Sequence, residues 1–400
     1  MTRNILTSAI AITAALGLAS AAAAFQDEST VRIGSIEAQT GVPAPYGIQA
    51  LVGSQIAIDE INEAGGVEIG DKSVKLQLTP SPDGYDPGGD SAQVIALMKK
   101  LIADDQVLVI KGTSRSNNTE AAFNYLNELE RQGTPVVLLS SAAAAPGLGA
   151  ITKWGFRNSF FEADAIARAA EMLAAQGNKT AAIFVAKDNA YNAAIAEALI
   201  KPALEKAGLE LIAETDGLEK DTDYSSQVQA LRRAKPDVVA VSTPVLAGVN
   251  LMKEAQRRGF EPKAWLGNIG NIAPEVPTLG GPAVEHMVVG SSYSPDNAAV
   301  QKLAETFKER TGNEINLFGV NGYEAIYLFK AALEAADISN TPETLQEDRE
   351  KFRDALAGVE IESITGETVK FDENGDAVKD GYLITIKDGS YVTWDEKPFN

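Results

Sequence analysis

Short apolar runs of strand type alternate with amphipathic helical patterns along almost the whole chain, in units of about 30 residues. The first run is Val31–Ile36, followed by a helical pattern over Gly47–Ala64 that ends at Gly65-Gly66. Val74–Leu78 precedes a helix over Ser91–Ala103, where Val94, Leu97, Met98, Leu101 and Ile102 make one apolar face. Val107–Ile110, a helix opening at Asn117, and Pro135–Leu139 continue the series. A strand that is apolar throughout must be covered on both faces, and a helix between two such strands supplies that cover. The chain is therefore expected to be α/β, with doubly wound parallel sheets.

The rhythm restarts beyond residue 157. Helices are expected over Ala165–Gln176, Tyr191–Ala207 (interrupted by Pro202), Ser225–Ala234 and Ala247–Arg258. Strands are expected at Ala181–Val185, Leu209–Ala213, Asp237–Val241 and Ala264–Leu266. A third stretch opens with a short strand at Val288–Val289 and continues in three helical patterns, Ala298–Thr311, Gly319–Ala336 and Pro342–Ala357. Strands at Thr368–Asp372 and Tyr382–Lys387 close it. No low-complexity linker separates these stretches. Two lobes are expected, with a chain that crosses between them more than once and a cleft at their junction. In such sheets ligands bind beyond the carboxyl ends of the strands.

Residues 1–24 read as a secretory signal peptide. Arg3 supplies the positive start, Ile5 to Leu18 the apolar core, and Ala21–Ala24 a small-residue cleavage site with cut after Ala24. The chain has no cysteine, which excludes a thiol nucleophile, a thiolate metal site and a lipid-bearing N-terminal Cys. The mature protein is expected free in the periplasm, with no lipid anchor. The net charge of −20 argues against nucleic acid or an anionic membrane surface as partner. Catalysis finds little support. The chain has no G-x-S-x-G, Walker A or H-E-x-x-H pattern, and its one histidine, His286, sits beside a strand pattern and reads as structural. No cofactor and no metal site is expected.

Three groups of residues could form a binding site. The loop Lys111–Ser116 follows a strand, and Asn117 with Glu120 resembles a capping box at the start of the next helix. A helix N-terminus favours an anion such as a carboxylate, to which Ser116 can donate and Arg115 can add a bidentate contact. The competing reading makes Ser114–Ser116 a solvated turn and Arg115 a surface ion pair. Ser140–Ala145, containing Ser141, Ala142 and Ala144, is either a tight packing loop or one that lets backbone approach a ligand. Tyr46, Tyr191 and Phe318 flank strand-end loops and are either core or ligand contacts. Trp154 and Trp265 read as core.

The order and spacing of several motifs resemble the periplasmic binding proteins of branched-chain amino-acid ABC importers, a type I fold. Ile33-Gly-Ser-Ile36 with Thr40-Gly41 and Tyr46-Gly47 is similar to the family's first strand and loop. Ala57–Gly66 resembles its A-x-x-x-I-N-x-x-G-G helix end, and Asp83–Pro87 the D…DP before the second helix. Gly112–Ser116, Thr222–Ser225, Gly281–Gly290 and Phe371–Gly375 resemble further family segments. The resemblance implies two lobes closing on a small solute, with crossovers near 156, 287 and 381. Residues 25–156 and 288–381 would then form one lobe, and 157–287 and 382–400 the other. It implies no enzyme activity, a monomer, and a membrane permease as partner. It assigns the ligand carboxylate to Ser116, Ala142 and Ala144, and side-chain contacts to Tyr46, Tyr191 and Phe318.

Two departures bear on the ligand. Amino-acid binders of the family usually carry a threonine where Ala144 stands, and an acid in the loop that here reads Gly267–Gly270, at Asn268 or Ile269. Without that acid an α-ammonium group would be buried unpaired, which is costly. A small organic acid, aromatic ones included, is therefore favoured, with Arg115 and Ser116 at its carboxylate. An amino acid is the alternative; a ligand sensor and a secreted α/β enzyme are the others.

Overall fold

The computed structural model describes residues 28–379 and 381–399. The expected signal peptide, residues 1–24, lies outside the described residues.

The first lobe holds β1 (Thr30–Ile36), β2 (Val67–Ile69), β3 (Lys72–Thr79), β4 (Val109–Gly112), β5 (Val137–Ser140) and β6 (Gly155–Arg157). They form one sheet in the order β2-β3-β1-β4-β5-β6, parallel except for the β2–β3 hairpin. Helices α1 (Ala44–Glu63), α2 (Ser91–Ala103) and α3 (Ser116–Arg131) connect them. The Asp90 carboxylate accepts from the Ala92 and Gln93 N–H groups and so starts α2, whose Val94, Met98 and Leu101 are buried. β4 and β5 are buried at every position, as expected of inner strands covered on both sides.

The second lobe holds β7 (Thr180–Ala186), β8 (Glu210–Gly217), β9 (Val238–Ser242), β10 (Ala264–Leu266) and β11 (Met287–Ser291). Its helices are α4 (Ala163–Ala175), α5 (Ala190–Ile195), α6 (Lys201–Lys206), α7 (Ser225–Ala234), α8 (Val245–Arg257) and α9 (Glu275–Gly280). A wider turn, Ala196–Ile200, joins α5 to α6, where Pro202 lacks the N–H that a regular ladder would use. The chain then runs through α10 (Ala298–Thr311), α11 (Leu317–Ala335) and α12 (Leu345–Ala357). A small antiparallel sheet follows, of β12 (Glu360–Glu362), β13 (Thr368–Phe371) and β14 (Ala377–Val378). Finally β15 (Gly381–Lys387) and β16 (Ser390–Phe399) join the second large sheet, ordered β16-β15-β11-β10-β9-β7-β8. Trp154 and Trp265 are buried in the lobe cores, as the sequence suggests.

Two expectations need correction. The sequence resemblance places the segment starting at 288 in the first lobe, but Met287–Ser291 pairs with β10 on one side and β15 on the other. That crossing therefore lies beyond Ser291, because a strand buried on both edges belongs to the sheet that pairs it. The capping box at Asn117 and Glu120 is also absent. Arg115 takes the N-cap position of α3 in extended conformation, and no side chain caps this helix.

Helix α11 returns to the first lobe and lies against α1 with backbones in contact. A Cβ on Gly53 would sit 2.0 Å from the Gly319 oxygen, and one on Gly322 would sit 2.2 Å from the Ala50 oxygen. This glycine seam brings the start of α1, with Tyr46, beside the start of α11, with Phe318; their ring centroids are 4.8 Å apart. Behind them, buried polar groups tie the crossings together. Asn158 Nδ2 donates to the Asn321 oxygen (2.7 Å), Asn321 Nδ2 to the Ser141 oxygen (3.1 Å), and Lys379 pairs with Glu324 at 2.5 Å.

Candidate functional site

The carboxyl ends of β1, β4 and β5 in the first sheet and of β7, β9 and β10 in the second open onto one shared cavity. Tyr46, Ser114, Arg115, Ser116, Ala142 and Phe318 form the wall from the first lobe. Asn189, Tyr191, Asn192, Pro244, Ile269 and Gly270 form the wall from the second.

A buried ion pair sets the floor of the first wall. Lys111 Nζ lies 2.5 Å from Glu37 Oε1, with side-chain exposures of 0% and 1%. The same ammonium donates to the Ala50 oxygen at 3.2 Å. The Ser114 hydroxyl donates to Glu37 Oε2 (2.7 Å) and accepts from the Ala38 N–H (2.8 Å). Its hydrogen is thereby committed, and Ser114 offers the cavity an acceptor. Ser116 differs: its oxygen accepts from the Ala145 N–H at 3.2 Å, which leaves its hydrogen free to donate. The first N–H groups of α3 lack side-chain partners and carry the positive end of the helix dipole.

Contacts from wall to wall hold the lobes closed. The Tyr46 hydroxyl donates to the Gly270 oxygen (3.0 Å) and accepts from the Val245 N–H (3.2 Å). Burial raises the pKa of this phenol, so it stays neutral. Arg115 grips Glu219 with both Nη atoms, at 3.1 and 3.2 Å. Asn117 Oδ1 accepts from the Ala190 N–H at 2.8 Å, at the start of α5. This contact is why Asn117 does not cap its own helix.

Behind the second wall lies Glu162, in the first crossing. It accepts from the Tyr191 hydroxyl and, at 2.8 Å, from the Ile269 N–H. Burial pushes its pKa up to about 8, with the Ile269 hydrogen bond a smaller opposing effect. Among the described residues no Asp or Glu side chain lines the cavity itself. Nor does any group of three or more His, Cys, Asp or Glu residues suit a metal ion.

Of the residues singled out from the sequence, Tyr46, Arg115, Ser116, Ala142, Tyr191, Ile269 and Phe318 meet at the cavity. Three do not reach it. Ser141 is fully buried, its carbonyl turned to Asn321. Ala144 lines a separate crevice with Arg157 and Phe160. Asn268 is buried beneath Ile269, where its Nδ2 donates to Asn192 Oδ1 at 3.0 Å. Asn117 bridges the lobes next to the cavity. Asn189, Asn192, Pro244 and Gly270 also line the cavity, and Glu162 and Glu219 stand behind its walls, although no sequence motif marks them as site residues. Asn189 carried a local signal, since its side chain caps α5 by accepting from the Tyr191 and Asn192 N–H groups. Glu162 and Glu219 carry none, because their partners lie far along the chain: Tyr191 and Ile269 are 29 and 107 residues from Glu162, and Asn189 and Arg115 are 30 and 104 from Glu219.

A profile described as periplasmic binding protein matches residues 30–390. The chain is 26% identical over 372 residues to the leucine-, isoleucine-, valine-, threonine- and alanine-binding protein of Pseudomonas aeruginosa, covering 91% of each. Its fold is similar to that of a branched-chain amino-acid transporter substrate-binding protein of Streptococcus pneumoniae in complex with isoleucine. The TM-score is 0.77 at 20% identity, over 92% of this chain and 98% of that one. It is equally similar to an ABC-transporter solute-binding protein of Rhodopseudomonas palustris in complex with 3,4-dihydroxybenzoic acid. There the TM-score is 0.77 at 22% identity, over 93% of this chain and 98% of that one. No described helix is long and apolar enough to cross a membrane.

Proposed function

The chain belongs to the periplasmic binding protein family, and on that premise we propose that it captures a small monocarboxylate with an apolar or aromatic body and delivers it to the permease of an ABC importer. The observation that carries this reading is the uncapped start of α3 beside the free Ser116 hydrogen, in one cavity with the rings of Tyr46, Tyr191 and Phe318. Hydrogen-bond donors and a helix dipole suit a carboxylate, and the rings with Pro244 and Ile269 suit its apolar remainder. Arg115, expected at the carboxylate, is instead engaged with Glu219, so Ser116 and the α3 backbone become the anchor.

A branched-chain amino acid is the second reading. It is favoured by the specificity of the Pseudomonas aeruginosa relative and by the acceptor that Ser114 offers. Against it stands the lack, among the described residues, of a free carboxylate on the wall to meet an ammonium group.

Thermal unfolding in the presence of a solute panel separates the two. Benzoate-type and branched aliphatic monocarboxylates are expected to stabilise the protein, by about 2.7 kcal/mol at a hundredfold excess over Kd. Stabilisation by leucine, isoleucine or valine with no response to the acids would reverse the order.

A further inference from the structure

Arg115 faces the cavity, yet its charge is already answered. Both Nη atoms are held by the two oxygens of Glu219 on the opposite lobe, and the two side chains are only 12% and 8% exposed. Glu219 follows β8 and is set in place by its own lobe. Asn189 Nδ2 donates to its carboxylate at 3.3 Å, and its N–H donates to Asp188 Oδ1 at 2.9 Å. Asn189 also lines the cavity, so the carboxylate is fixed one residue behind the second wall.

We propose that Glu219 is a specificity-determining residue that restricts the cleft to solutes with one carboxylate by occupying Arg115. The proposal rests on the monocarboxylate reading given above. A single carboxylate at Ser116 and the α3 N-terminus leaves the Arg115–Glu219 pair intact. A second carboxylate reaching toward Arg115 must displace Glu219, which would then be left buried without its cation, held by the Asn189 amide. Breaking a buried pair by removing one partner is strongly unfavourable, whereas leaving it whole costs nothing further. The selectivity is thus a repulsive one, built into the protein's own anion.

The test compares wild type, E219Q and the double variant R115A/E219Q by calorimetric titration. The solutes are benzoate against terephthalate and butyrate against glutarate. E219Q is expected to shift the dicarboxylate-to-monocarboxylate affinity ratio at least tenfold toward the dicarboxylates, and R115A/E219Q to lose that gain. E219A carries the same comparison if E219Q does not fold. An ion pair that merely holds the lobes together would weaken all four solutes alike on substitution, and that result overturns the proposal. So does a dicarboxylate gain that survives without Arg115. If wild type binds the monocarboxylates and E219Q keeps the same ranking, this inference alone falls. If neither protein binds any of the four acids, the proposed solute class falls and takes the inference with it.

Discussion

Lys111→Met is expected to destabilise the protein by about 3–5 kcal/mol, the usual cost of stripping one partner from a buried ion pair. Lys111 and Glu37 are shut away from solvent, and the ammonium also satisfies the Ala50 carbonyl in α1. Methionine fills a similar volume but leaves the Glu37 carboxylate buried with hydrogen bonds from Ser114 alone among the side chains around it. The damage should extend to function, because Ser114 is held by that same carboxylate and by the Ala38 N–H. Urea unfolding with the linear extrapolation measures the first effect, and solute titration the second. The double variant Glu37→Met/Lys111→Met should recover much of the stability, since an apolar pair can replace a buried ionic one. It should not recover affinity, because the Ser114 hydrogen then has lost its acceptor and the Ala38 N–H alone holds the hydroxyl. A loss below about 1 kcal/mol in Lys111→Met would show the pair to be idle, a value typical of exposed pairs.

Stability should fall as pH rises from about 4.5 to about 8, and Glu162 should be a main cause. Its carboxyl keeps its proton in the folded chain up to about pH 8, against an ordinary value near 4.5. Between those limits the native state binds a proton that the unfolded state has released, so each rise in pH favours unfolding. One such group contributes roughly 1.4 kcal/mol per pH unit, which accumulates to several kcal/mol across the window. Glu162→Gln removes the titration while keeping an acceptor for Ile269 and a polar partner for Tyr191. Its stability should therefore lack this component of the pH slope, as urea midpoints at pH 5, 6, 7 and about 8 would reveal. Parallel curves for the two proteins would refute the assignment.

Much of the architecture could be read from local pattern. Val238–Ser242 and Val137–Ser140 are buried at every position, so they appear in the sequence as unbroken apolar runs. The strands that escaped notice are the short or peripheral ones. β2 and β6 have three residues each. β16 mixes polar residues with Pro398 and lies at the edge of its sheet, where no second neighbour demands an apolar face. Asn117 misled for a physical reason. Its side chain has the right chemistry for a cap, but the Ala190 N–H on the other lobe claims it.

The site divides along the same line. Residues at strand ends and helix starts, such as Ser116, Tyr46 and Tyr191, were legible because a parallel sheet sends every carboxyl end to one edge. Which of them face the cavity depends on loop conformation, and Ser141, Ala144 and Asn268 lie off it.

The sequence by itself determined two doubly wound lobes and the side of each sheet that carries a ligand, because burial on both faces writes a local, periodic code. The tertiary structure alone decided that Arg115 spends its charge on Glu219, and that Glu162 stands behind Tyr191. Charges interact through space at a few ångströms, and no periodicity in the chain records which distant residues a fold will bring that close.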